Sequence, residues 1–169
     1  MTDNRDDLYR STEIESAIIQ GNRSRYDELI DDADLDHRSG NGSTLLHKAT
    51  TMGRTEIVAD LLERGIDIDA VDDGGRTALH CAVEKDYEEI ALRLLEYGAR
   101  VDIDDVYGAR ALQKAVSNAN YELAEALLEH GADPTHENEA DISPLHIARR
   151  ADADRYIELL ESYVDGEDA

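Results

Sequence analysis

The sequence predicts an all-α repeat protein, a solenoid of about five helix-turn-helix repeats joined by short β-hairpin fingers. Three observations predict it: one motif returns every 33 residues, an apolar stripe of helical spacing follows each copy, and a glycine ends most stripes. The copies of the motif occupy Gly42–Ala49, Gly75–Ala82, Gly108–Ala115 and Asp141–Ala148. Because helices this short are marginal alone, neighbouring units must stack to bury their apolar faces.

The motif predicts the first, shorter helix of each unit. Thr44, Thr77 and Ser143 are residue types that cap a helix N-terminus. Arg110 and Gln113 stand where the other units have a hydroxyl and a histidine, so we expect a weaker first turn there. Alanines mark where helices approach closely, at Ala49, Ala82, Ala115 and Ala148.

A second helix follows, with apolar residues at positions i, i+1, i+4 and i+5. The stripe is clearest at Ile57, Val58, Leu61 and Leu62, and the next two units repeat it. Glycines stand where such a helix needs a left-handed residue to end, at Gly65, Gly98 and Gly131.

Between successive helix pairs, apolar and acidic residues alternate and end in a turn signal, as in residues 66–74, which favours an extended finger. We therefore divide one solenoid domain, residues 10–164, into an N-terminal capping repeat (10–41), three full repeats (42–74, 75–107 and 108–140) and a C-terminal capping repeat (141–164). Residues 1–9 are expected to be a flexible acidic N-terminus and residues 165–169 an acidic tail.

The 33-residue unit resembles the ankyrin repeat. Its Thr-Pro-Leu-His signature has near matches in Thr44–His47, Thr77–His80 and Ser143–His146, and its Gly-Ala-Asp string appears in Gly131–Asp133. The resemblance implies a protein-binding surface formed by the finger tips and first helices. It also implies that the histidines of the motif hydrogen-bond the capping hydroxyl three residues earlier and neighbouring backbone.

Charge restricts the possible partners. The chain of 169 residues has 40 Asp and Glu against 17 Lys and Arg, a formal net charge of −23, which disfavours nucleic acid and anionic membranes as ligands. With 41% hydrophobic residues it can still fold. No apolar run approaches the roughly 20 residues that span a bilayer. We therefore expect a soluble protein. The single cysteine excludes an intramolecular disulfide and fits a reducing compartment, so we expect a cytoplasmic location.

The composition also indicates adaptation to high salt. The chain has no Phe or Trp, only three lysines, and many acidic residues. Such surfaces are typical of proteins from halophiles, in which salt screens self-repulsion. An acidic protein of an ordinary cytoplasm and a nucleic-acid mimic are the alternatives.

The histidines and acidic clusters favour structural roles over chemistry. His47, His80 and His146 are one repeat apart and do not converge on one ion. Neither acidic run, in residues 31–37 or 67–74, has the glycine followed six residues later by a glutamate that a calcium loop needs. We expect Asp72, Asp105 and Asn138, which lie at equivalent finger tips, to form turns instead.

No enzymatic signature is present, and Cys81 lacks a basic environment that would lower the pKa of its thiol. We therefore expect no catalytic residue, no metal, no cofactor and no small-molecule substrate. The basic cluster of Arg149 and Arg150, with Arg155 nearby, is interpreted as local counter-charge or as a docking point for a carboxylate or phosphate.

The sequence thus predicts a monomeric, non-enzymatic protein-protein interaction module. Its alternative is an acidic nucleic-acid mimic or charge-based inhibitor of a basic protein. Apolar residues at finger tips, where packing does not require them, are expected to anchor the partner. The predicted partner-binding residues are Met52, Asp73, Arg76, Glu84, Lys85, Val106, Tyr107, Ser117, Asn118, Glu139, Ile142 and Arg150.

Overall fold

The computed structural model describes residues 13–164, and the predicted N-terminus (1–9) and acidic tail (165–169) lie outside them. Helices follow one another in pairs along this part of the chain. They are α1 (13–20), α2 (Arg23–Leu29, followed by a 3-10 turn at Ile30–Asp32), α3 (Leu45–Thr51), α4 (Thr55–Glu63), α5 (Ala78–Glu84), α6 (Glu88–Glu96), α7 (Ala111–Ser117), α8 (Tyr121–Glu129), α9 (Pro144–Arg150) and α10 (Asp154–Val164).

The helices form two layers. The first helices of successive pairs, α3, α5, α7 and α9, pack side by side, as do the second helices α4, α6, α8 and α10. The predicted stripes are buried between the layers, and Ala49, Ala82, Ala115 and Ala148 are almost completely buried where the helices meet. The all-helical repeat architecture is therefore confirmed.

The predicted N-caps begin three of the first helices. The hydroxyl oxygens of Thr44, Thr77 and Ser143 accept hydrogen bonds from the backbone N–H three residues later. At α7, Gln113 partly replaces the histidine, since its amide oxygen accepts from the Arg110 N–H at 3.3 Å.

The fingers are tight turns, and no described residue lies in a β-strand, so the predicted β-hairpin character is not confirmed. The finger of residues 66–76 explains why. The Asp72 N–H donates to the Arg76 carbonyl at 3.0 Å, but the Arg76 N–H donates to the Asp72 carboxylate, also at 3.0 Å. The side chain thereby takes the place of the second backbone bond that a hairpin would make.

Left-handed residues occur in the turns that connect the helices. Gly65, Gly98 and Gly131 end the second helices with positive φ, as predicted. Between the helices of a pair, the left-handed residue is Gly53 in one repeat but Asp86, Ala119 and Asp152 in those that follow. No helix in the described part of the chain is long and apolar enough to cross a bilayer.

Candidate functional site

A groove of about 750 Å³ runs along one face of the solenoid. The first helices α5, α7 and α9 form its floor and the fingers before α7 and α9 form its wall. Its lining consists of Arg76, His80, Glu84, Asp105, Tyr107, Ala109, Arg110, Gln113, Lys114, Ser117, Asn138, Ile142, His146, Ile147, Arg150 and Ala151. The size is that of a ligand or peptide cleft.

The finger tip before α7 presents apolar side chains to solvent. Val106 is 52% exposed and Tyr107 is 69% exposed, so the ring does not fold back onto the helices beneath it. The tip itself is fixed, because Asp105 accepts hydrogen bonds from the N–H groups of Tyr107 at 2.8 Å and Ala109 at 2.9 Å. The Tyr107 carbonyl also accepts from the Glu139 N–H of the next finger, at 3.0 Å.

Asp72, Asp105 and Asn138 occupy equivalent tips and act as the predicted turn formers. Each accepts two backbone N–H hydrogen bonds from its own turn. Asp72 is also contacted by Arg76. Burial alone raises the pKa of Asp72, but the hydrogen bonds from the side chain and backbone of Arg76 hold it below its ordinary value. Asp72 therefore remains a carboxylate.

Two arginines of the groove are held by carboxylates of the chain itself. Arg76 pairs with Asp72 at 2.8 Å and with Glu84 at 3.4 Å, and Arg110 pairs with Asp104 at 2.7 Å. These pairs orient the guanidinium groups and neutralise much of their charge.

The three arginines of the predicted basic cluster, at the end of α9 and in α10, have different surroundings. Arg149 pairs with Glu161 at 2.7 Å, and Arg155 lies 3.5 Å from the ring centre of Tyr121, so both are engaged locally. Arg150 points instead into the groove, where it forms no ion pair with a described carboxylate. Local counter-charge describes Arg149, but it does not describe Arg150.

The motif histidines differ from one another. The Nδ1 atoms of His47 and His80 lie 2.8 and 2.9 Å from the hydroxyls of Thr44 and Thr77, as the resemblance implies. His146 does not make this contact. It is exposed in the groove, and its ring makes no hydrogen bond to a described residue, although its backbone N–H donates to the Ser143 hydroxyl. His146 lies in the last helix pair of residues 13–164, so no described finger covers its ring as the next finger covers that of His47.

Comparison with known families identifies the repeat. A family model described as ankyrin repeats (3 copies) matches residues 14–105 and 72–138. The chain belongs to the ankyrin-repeat family. No curated protein matches the chain. Ankyrin repeats are generally protein-protein interaction modules and are typically non-enzymatic.

The ankyrin groove gathers six of the twelve predicted partner-binding residues: Arg76, Glu84, Tyr107, Ser117, Ile142 and Arg150. The other six lie outside its lining: Met52, Asp73, Lys85, Val106, Asn118 and Glu139. Four of these donate hydrogen bonds to carbonyls of the neighbouring repeat: Asp73 to Asn41, Val106 to Gly74, Asn118 to Val83 and Glu139 to Tyr107.

Sequence reasoning missed several lining residues, among them Lys114, His146 and Ile147. Their spacing in the sequence contains the signal. His146 is four residues before Arg150, on the same face of α9, and Ile147 is one 33-residue period after Lys114. The register links Lys114 to Ile147, whereas the register equivalents of His146, namely His47 and His80, are buried, so only its spacing from Arg150 indicates His146.

Chemistry at Cys81 has no support in the ankyrin scaffold. Cys81 is buried, and burial raises the pKa of its thiol above the ordinary value. Among residues 13–164, no cluster of three or more His, Cys, Asp or Glu could hold a metal ion.

Proposed function

We propose that this chain is a non-enzymatic binding module whose groove, formed by α5, α7, α9 and their fingers, holds one partner protein. The observation that carries the proposal is the exposed ring of Tyr107 at the rim of the groove. An aromatic side chain with few rotatable bonds loses little entropy on docking and supplies a large contact area.

The remaining features of the groove suit recognition of a polypeptide. Ile142 and Ile147 are partly exposed apolar side chains beside hydrogen-bonding groups of Ser117 and Asn138. Such a mixture resembles protein interfaces, which surround apolar anchors with polar groups. The family assignment supports the same class of function.

We further propose that the protein is a monomer of five repeats adapted to a salt-rich cytoplasm. The net charge of −23 and the scarcity of lysine support the salt adaptation. Five helix pairs in the described residues support the repeat count.

The experiment is a pull-down with the full chain at about 0.15 M and about 2 M KCl, followed by identification of the retained protein. The groove-filling variant Ser117→Trp should lose that partner. The matched variant Glu63→Trp, at an exposed position of α4, should retain it. Equal retention by both variants would contradict the proposed face, and retention only of highly basic nucleic-acid-binding proteins by both would favour the charge-based inhibitor.

A further inference from the structure

The charge of the groove is opposite to that of the chain. Four of the six charged residues that line it are cationic, whereas the chain as a whole has 17 Lys and Arg against 40 Asp and Glu. A cationic groove in so acidic a surface points to a ligand that carries negative charge.

Only part of this positive charge is available to a ligand. Arg76 and Arg110 are engaged by carboxylates of the chain. Lys114 and Arg150 are exposed, line the groove and form no ion pair with any residue between 13 and 164. The lining carboxylate Asp105 forms no ion pair with either of them; its Oδ1 atom accepts two backbone N–H bonds of its own turn.

Apolar side chains accompany the two free cations. Tyr107, Ile142 and Ile147 line the same groove. A nucleic-acid backbone or a free phosphate would leave these side chains without a complementary surface, whereas a peptide can offer carboxylates and apolar side chains at alternating positions.

We propose that the groove binds an extended acidic segment of a partner protein, in which carboxylates pair with Lys114 and Arg150 and an apolar side chain packs against Tyr107. This inference rests on the proposed function and specifies the chemistry of its partner. Charge complementarity is local: the free cations attract the segment, while the acidic remainder of the surface disfavours contact elsewhere.

Fluorescence anisotropy with three labelled nine-residue peptides tests the inference. The first alternates Glu with Leu and Tyr, the second replaces every Glu by Gln, and the third replaces every Glu by Lys. The measurements use the full chain at the lowest KCl concentration at which circular dichroism shows it folded. The Glu peptide should bind about tenfold more tightly than the Gln peptide, and the Lys peptide should bind more weakly than both.

A matched pair of variants locates the preference. Lys114→Gln and Arg150→Gln should each weaken binding of the Glu peptide about fivefold and leave the Gln peptide unchanged. Lys48→Gln removes the same charge at the same register position of α3, outside the groove, and should change neither affinity.

The inference is overturned if the Glu and Gln peptides bind equally or if no peptide binds. It is also overturned if the Lys peptide or a labelled single-stranded DNA binds more tightly than the Glu peptide. An effect of Lys48→Gln as large as that of Lys114→Gln would overturn it as well. Tyr107→Ala separates the two proposals. If it weakens the Glu and Gln peptides alike while their affinities are equal, the groove is the binding face and only the acidic preference is wrong.

Discussion

The Nε2 atom of His47 lies 2.8 Å from the carbonyl oxygen of Arg76, so the histidine of one repeat hydrogen-bonds the backbone of the next. Since the carbonyl can only accept, Nε2 carries the proton. Nδ1 then accepts from the Thr44 N–H at 3.2 Å. His47 therefore joins the cap of its own helix to the following finger, and it does so only as a neutral ring.

This arrangement predicts a pH dependence of stability. Burial lowers the pKa of His47 below its ordinary value of 6.5, so the unfolded chain takes up the proton first as pH falls. The contribution of His47 to the free energy of unfolding is therefore complete above the ordinary pKa and is lost as pH falls below it. Replacing His47 with Gln, as Gln113 does naturally, should remove this loss.

Urea unfolding between about pH 7 and about pH 5.5 at constant salt measures the effect. The free energy of unfolding should fall more with decreasing pH in the wild type than in His47→Gln. His146→Gln, at the equivalent but exposed position, is the control and should retain the wild-type slope. Identical slopes for wild type and His47→Gln would show that the ring is not held neutral.

A second prediction concerns the buried hydroxyl of Tyr26. It donates to Asp60 of the neighbouring repeat at 2.6 Å. Although burial raises the pKa of Asp60, the hydrogen bonds from Tyr26 and Arg64 hold it below its ordinary value. Tyr26→Phe should lower the free energy of unfolding by about 1 to 2 kcal/mol. Tyr97→Phe, at an exposed ring, is the comparison in chemical denaturation; equal stability losses in both variants would refute the role of this bond.

The left-handed turn between α7 and α8 predicts a stabilising substitution. Ala119 has φ of 56°, where a Cβ atom is unfavourable, and the equivalent residue of an earlier repeat is Gly53. Ala119→Gly should raise the free energy of unfolding by about 0.5 to 1 kcal/mol. In the same assay Ala33→Gly, at φ of −79°, should lower it. Destabilisation by both would mean that strain at residue 119 is negligible.

The net charge predicts that folding depends on salt. Repulsion among charges extends over about 10 Å at 0.1 M salt and about 3 Å at 1 M. The thermal midpoint should therefore rise steeply between about 0.1 M and about 2 M KCl. Sucrose of equal osmolality, which screens no charge, should raise it less. A midpoint that is high and constant across these KCl concentrations would contradict adaptation to salt.

Periodicity made the helical repeat predictable. Thr44 and Thr77 cap their helices and Gly65 ends one, because these roles depend on residues close in the sequence. The alternating pattern of the fingers did not predict that they lack β-strands. The reason is that the Asp72 carboxylate accepts the backbone hydrogen bond that a hairpin would use.

Only half of the predicted partner-binding residues line the groove, and the reason is a different one. Which cations stay free depends on carboxylates brought close by folding: Arg149 meets Glu161 on the next helix, whereas Arg150 on the same helix faces the groove. His146 is exposed because it lies in the last described helix pair, where no described finger packs on its ring. Neither relationship is a spacing within one unit.

The most direct measurement compares Tyr107→Ala with Glu63→Ala, using affinity for the identified partner and the thermal midpoint. Because Tyr107 is 69% exposed, its truncation should leave the midpoint nearly unchanged and weaken binding by about 2 kcal/mol or more. Glu63→Ala, on the second helix, should change neither. If Tyr107→Ala instead lowers the midpoint as a core truncation would and leaves the affinity unchanged, the groove is not the binding face.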